Sequence, residues 1–154
     1  MTSTSTPAPG QNDEGDVARS IRTDLDTPDA IAVMVRTFYG DVAQDDLLGP
    51  LFNDVAAVNW AEHLPKLTAF WCRALLGMPG YTGNPFQAHA DVHSRSAFTR
   101  AHFQRWLTLF HDTLESGWEG PNVDRALALA DNVARVHSQQ LIGEPVTIAV
   151  RSRG

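Results

Sequence analysis

From residue 27 to residue 143 apolar residues return every three or four positions, the spacing of one face of an α-helix. The first run, TPDAIAVMVRTFYGDV, carries Thr27 as N-cap, Pro28 in the first helical position and Asp29 in the first turn. Ile31, Val35, Phe38 and Val42 form its stripe, and Tyr39 borders the same face. QDDLLGPLF then reads as a turn with a short apolar plug ending in Phe52. The next run, VAAVNWAEHLPKLTAFWCRALLG, puts Trp60, Leu64, Leu67, Trp71 and Leu75 on one stripe and closes at Gly77. His63 sits between Trp60 and Leu67, and Pro65 removes one backbone bond at roughly 3 kcal/mol unless it falls in the first turn or at a kink. Pro85 starts a short helix that holds His89. TRAHFQRWLTLFHDTLESG follows, with Phe103, Trp106 or Leu107, Phe110 and Leu114 facing inward and Gly117 as its stop. NVDRALALADNVARVHSQQLIG is the last helix, with Asn122 as a cap and Val123, Leu127, Ala130 and Val133 inward. Only VTIAV reads as a strand, and it has no partner. The pattern predicts an all-α body over residues 27–143.

The two ends differ from that body. Residues 1–26, opening MTSTSTPAPGQNDEGD, have almost nothing to bury and read as a disordered N-terminal tail. Residues 144–154 break the helical pattern and read as a C-terminal tail. The chain of 154 residues is long enough for one domain with a real core. Its net charge is −6, from 12 basic and 18 acidic residues, which argues against a nucleic-acid or anionic membrane partner. No apolar run approaches the ~20 residues that span a bilayer, and no signal peptide is visible. Cys72 stands alone, which excludes an internal disulfide and a cysteine-based zinc site. The plain expectation is a cytoplasmic protein.

The candidate chemistry is in the histidines: His63, His89, His93, His102, His111 and His137. His102, His111 and His137 read as satisfied core or rim residues. His89 and His93, four apart on one helix face, could grip a metal ion with Asp91 or His63 as a third ligand, giving a haem-free metal-dependent enzyme. A helical interaction module with purely structural aromatics is a further alternative. There is no nucleophile elbow and no glycine-rich phosphate loop.

Four segments in register narrow this. FYGDVAQDDLLGPLF, WAEHLPKLTAFW, YTGNPFQAH and HFQRWLTLF occur in that order between about Ala30 and Phe110. Together they closely resemble the truncated haemoglobins, group III. The resemblance implies a two-over-two helical sandwich around haem b (iron protoporphyrin IX). It carries the proximal iron ligand onto His89 and the distal side onto Tyr39, His63 and Trp106. Phe52, Phe70, Trp71 and Phe110 fall where the family lines the haem. Seventeen residues separate His89 from Trp106, a few more than the family pattern, and ADVHSRSAF holds the excess. His93 is therefore a rival proximal ligand.

The residue types suit that chemistry. A neutral imidazole is a good axial ligand, and one proximal histidine leaves the sixth position open to O2, CO or NO. A tyrosine hydroxyl and an indole N–H are donors suited to a dry pocket. The implied function is reversible binding of diatomic ligands, with nitric-oxide detoxification or peroxidase-like turnover as extensions. Bulk oxygen transport is the least expected use, and turnover would require an electron-donor reductase.

Overall fold

The computed structural model describes residues 22–148, apart from the side chains of residues 85–87. Its helices are α1 Pro28–Gln44, α2 Trp60–Leu76, α3 Pro85–Arg95, α4 Arg100–Gly117 and α5 Pro121–Ile142, with one turn of wide π-helix, Leu51–Val55, between α1 and α2. No strand occurs among the described residues, and none of their helices is long and apolar enough to cross a membrane. Of the segment VTIAV, the described part is irregular, and its last two residues lie outside the described residues.

The helix starts follow local chemistry. The Thr27 hydroxyl accepts the N–H of Ala30 at 3.1 Å, as an N-cap does, and Pro28 occupies the first position of α1. α2 begins at Trp60, five residues later than the apolar pattern predicts. Asn59 caps it by accepting the N–H of Ala61 at 3.1 Å, and the residues before it are taken by the π-turn and by Ala57 at φ 49°. Pro65 lies in the second turn of α2, and the helix runs through it to Leu76. The bond that a residue 65 amide would give to Ala61 is therefore missing.

α1 packs on α2 and α4, and α5 packs on α4 and α2, so two helices lie over two. Ile31, Met34, Phe38 and Val42 of α1 meet Trp71 and Leu75 of α2 and Leu107, Phe110 and Leu114 of α4. The buried face of α5 is built on Val123, Ala126, Ala130 and Ala134, whose small side chains let its backbone approach closely. Leu127 packs at the margin of this core. α3 packs against α5 and the π-turn.

Both ends of the body reach past the predicted limits at 27 and 143. Leu25 is 0 % exposed, and so is Val146, whose N–H donates to Ser138 Oγ at 2.7 Å. Asp24 explains how the stretch beside Leu25 is held to the body. Its carboxylate accepts the N–H groups of Asn122 and Val123, both at 3.0 Å, and so caps α5 from nearly a hundred residues away. Asn122, expected as the cap, instead donates its side-chain amide to the carbonyl of Leu25 at 2.8 Å. Gly120 is the residue that permits this. Its φ is 139°, and a Cβ there would lie 2.5 Å from Asp24 Cγ. Residues 1–21 and 149–154 lie outside the described residues.

Asp24→Ala should therefore lower stability by about 1–2 kcal/mol, the worth of a helix cap. Asp24→Asn, which keeps one acceptor oxygen, should lose less. Urea unfolding of the three proteins measures this, and an Ala variant as stable as wild type would remove Asp24 as the cap.

Candidate functional site

A cleft opens between the π-turn, α3, α4 and α5. Leu48, Leu51 and Phe52 form one wall, Phe103 and Trp106 of α4 another, and Val133 and Ala134 of α5 a third. His89 of α3 reaches it, with Phe98 and His102 beside it. The lining is overwhelmingly carbon, with imidazoles and one indole as its polar groups.

The first wall is held by one carboxylate. Asp45 Oδ2 accepts the N–H groups of Leu47 at 3.1 Å and Leu48 at 2.9 Å, while Oδ1 accepts Arg105 Nε–H at 2.7 Å. The loop that carries Leu48 and Phe52 is thereby tied to α4 one residue from Trp106. Burial alone would raise the Asp45 carboxyl, but the Leu48 N–H, the Arg105 side chain and the Leu47 N–H together hold it below its ordinary range. Asn53 adds a second tie: its amide donates to the Ala43 carbonyl at 2.9 Å and its oxygen accepts the Trp60 indole N–H at 3.0 Å.

His89 Nδ1 lies 2.7 Å from Nδ1 of His137 on α5. Burial, and then the nearby His137, push His89 down to about 4. At neutral pH it is an uncharged imidazole with one N–H and one lone pair. The neighbouring histidines are committed otherwise. His93 Nδ1 accepts the Phe98 N–H at 2.9 Å, and His102 Nδ1 accepts the Thr99 N–H at 2.9 Å. A ring whose Nδ1 accepts carries its proton on Nε2, so neither offers a lone pair to a metal. Among the described residues no group of three or more His, Cys, Asp or Glu side chains could hold a metal ion, so His89 and His93 with Asp91 or His63 do not form one.

Tyr39 is 6 % exposed, and its hydroxyl accepts a hydrogen bond from the Trp106 indole. Burial pushes the phenol far above its ordinary range, with the Trp106 bond opposing that rise. Its ring stands edge-on to Phe38 at 4.7 Å and Phe52 at 6.4 Å. His63 lies outside the cleft wall, edge-on to Trp60 at 6.0 Å, and is lowered by burial and by Lys66. Trp71 and Phe110 stack at 5.1 Å inside the core, and Phe110 stacks on Trp106 at 5.5 Å. Phe70 packs edge-on to Trp71 and Tyr81. Of the site residues expected from sequence, the cleft thus brings together Phe52, His89 and Trp106. Tyr39 touches two of these, Trp106 and Phe52; Phe70, Trp71 and Phe110 form a further layer, and His63 stands apart against Trp60.

His137, a core or rim residue on its sequence pattern, meets His89 here. It lies four after Val133 on an inward face, a spacing that points to the cleft only once α3 packs against α5.

Comparison with known proteins gives concordant findings. Residues 25–138 match the family model described as bacterial-like globin. The group 3 truncated hemoglobin ctb of Campylobacter jejuni subsp. jejuni serotype O:2 is 36 % identical over 89 residues, covering 56 % of this chain and 68 % of that protein. The crystal structure of a group III truncated hemoglobin from Campylobacter jejuni matches with a TM-score of 0.69 and 29 % identity, over 79 % of this chain and 95 % of that one.

The Asp45 clamp has a pH signature. A carboxylate whose folded-state pKa is depressed contributes stability that is complete above its unfolded value, here 3.8, and is lost as pH falls through the lower folded value. Asp45→Ala should cost about 1–3 kcal/mol near neutral pH, because it leaves backbone donors unsatisfied. The gap between variant and wild type should hold from neutrality to about pH 5 and close below 3.8. Chemical denaturation at a series of pH values tests this; a gap that widens in acid would reverse the assignment.

Proposed function

Since this chain belongs to the bacterial-like globin family, as a group III truncated haemoglobin, we propose that it binds O2, CO, NO and related small ligands reversibly at a haem b held through His89. The observation that carries the reading is a neutral, largely buried imidazole on an apolar cleft that also presents Trp106. The residues fit the group. The walls of the cleft are apolar, and of His89, His93 and His102 only His89 has an Nδ1 not committed to a backbone N–H. When bound, haem supplies an iron with one axial position for an imidazole and one for a diatomic ligand.

The chain's own residues do the rest. His89 would hold the iron through Nε2, since its Nδ1 is engaged with His137. Phe52, Leu48 and Phe103 would pack against the porphyrin and exclude water, while Phe70, Trp71 and Phe110 stiffen the layer behind. Trp106 donates to the Tyr39 oxygen, which leaves the Tyr39 O–H proton for the ligand. That proton is retained at any physiological pH because burial raises the phenol so far. Donor and supporting partner are set before the ligand arrives, so little reorganisation is spent on binding. His63 stays outside the wall, edge-on to Trp60.

A ligand held by preset donors leaves slowly. That favours redox turnover of the held ligand, nitric-oxide dioxygenation or peroxide-driven oxidation supplied by an electron-donor reductase, over bulk oxygen transport. A cytoplasmic setting suits both the reductase and the single cysteine.

The purified protein reconstituted with haem should show a Soret band that shifts with CO. His89→Ala should lose histidine ligation, whereas His93→Ala should keep it. In Tyr39→Phe the O2 dissociation rate should rise about 2- to 10-fold, the worth of one hydrogen bond, with CO dissociation nearly unchanged. Stopped-flow ligand exchange reads both rates, and an unchanged O2 off-rate would remove Tyr39 from the ligand.

A further inference from the structure

The 2.7 Å contact between His89 Nδ1 and His137 Nδ1 has a consequence for the opposite side of the His89 ring. Two nitrogens at that distance must share one proton, because two N–H groups would repel and two lone pairs would not bond. In a pair of uncharged imidazoles each ring carries a single N–H. The proton between them therefore decides the tautomer of each ring. If it belongs to His137, His89 carries hydrogen on Nε2 and cannot ligate. If it belongs to His89, Nε2 is a bare lone pair.

We infer that His137 is the positioning residue of the axial ligand: its Nδ1 accepts the Nδ1–H of His89, fixing the tautomer and ring rotation that present Nε2 to a haem iron. This rests on the haem reading above. His137 is itself 8 % exposed, on the same turn of α5 that gives Val133 and Ala134 to the cleft, so the acceptor belongs to the rigid part of the fold. α3 is short and packs against α5 and the π-turn, and the His89–His137 bond ties its functional residue to α5 directly. The ring planes cross at 74° with centroids 4.9 Å apart, which is the geometry of an in-plane bond and not of stacking. An imidazole nitrogen is also a stronger base than a backbone carbonyl. It draws the shared proton further from His89 and makes Nε2 a more electron-rich donor to the metal.

The test is resonance Raman of the iron–histidine stretch in the ferrous, unliganded protein, with haem retention measured by transfer to an excess of a haem-scavenging apoglobin. In His137→Leu the stretch should move to lower frequency and haem affinity should fall about 10- to 100-fold, the usual effect of removing an outer partner of a metal ligand. His137→Gln keeps an acceptor oxygen and should fall between Leu and wild type, which a merely space-filling role would not produce. If the Leu variant does not fold, the Gln variant alone decides, since a weaker acceptor must still lower the frequency. A Soret band with the stretch at its wild-type position in the readable variant overturns this inference alone. A wild-type protein that takes up no haem overturns the globin function and this inference with it.

Discussion

Phe38 stands edge-on to three rings at once: Tyr39 at 4.7 Å, Phe110 at 5.0 Å and Trp106 at 5.7 Å. It is fully buried, and the rings it touches come from α1 and α4, with Trp71 of α2 stacked on Phe110 behind them. Edge-to-face pairs of this kind are worth about 0.5–1.5 kcal/mol each beyond the area they bury. The larger effect is geometric. Each ring's rotation is limited by the next, so the indole N–H of Trp106 and the hydroxyl of Tyr39 inherit fixed directions from a hydrocarbon core. A hydrogen bond between two side chains on different helices survives here because neither helix can turn.

The two sides of the cleft are built on different physics. The Tyr39–Trp106 side is held by close-packed aromatics and the Asp45–Arg105 clamp, so its donors are rigid. The His89 side belongs to α3, a short helix with little apolar surface to bury, and is held by directional polar bonds: His89 to His137, and Arg95 to the Val55 carbonyl at 3.2 Å. A packed core cannot easily be opened to admit a flat macrocycle, whereas a helix fixed by a few hydrogen bonds can shift by small amounts at low cost. Under the proposed function, the division would put precision beside the small ligand and adjustability beside the large group.

What the sequence made legible was local or periodic. Thr27 and Pro28 start α1 where the capping rule puts them, Gly77 ends α2 in the left-handed conformation, and the stripe Phe103, Leu107, Phe110, Leu114 is the buried face of α4. The two-over-two fold followed from four motifs in register, which the relatives bear out. What was not legible depends on pairs far apart in the chain. No pattern within residues 1–26 reveals that Asp24 caps α5, because its partners lie at Asn122 and Val123. α2 starts later than the apolar run VAAVN suggests, because the π-turn ends on Val55, Ala57 turns at φ 49° and Asn59 is the cap. His137 was missed for the same reason: a histidine four positions from Val133 is unremarkable until α3 is laid against α5.

The extra residues between His89 and Trp106 illustrate how a departure from a family pattern is absorbed. The segment ADVHSRSAF reaches the cleft through Phe98. Its Ser96 N–H closes on the Val92 carbonyl at 2.9 Å, and the Phe98 N–H closes on His93 Nδ1, so the length is used in finishing α3. Thr99 and His102 then start α4 with reciprocal bonds between side chain and backbone. Two histidines that could have competed with His89 for a metal are consumed by these helix ends, each by giving its Nδ1 lone pair to a backbone N–H. A backbone donor at the close of a helix or the start of the next must find an acceptor, and here the nearest imidazole supplies it. Of His89, His93 and His102, only His89 has an Nδ1 that faces another side chain instead of a backbone N–H.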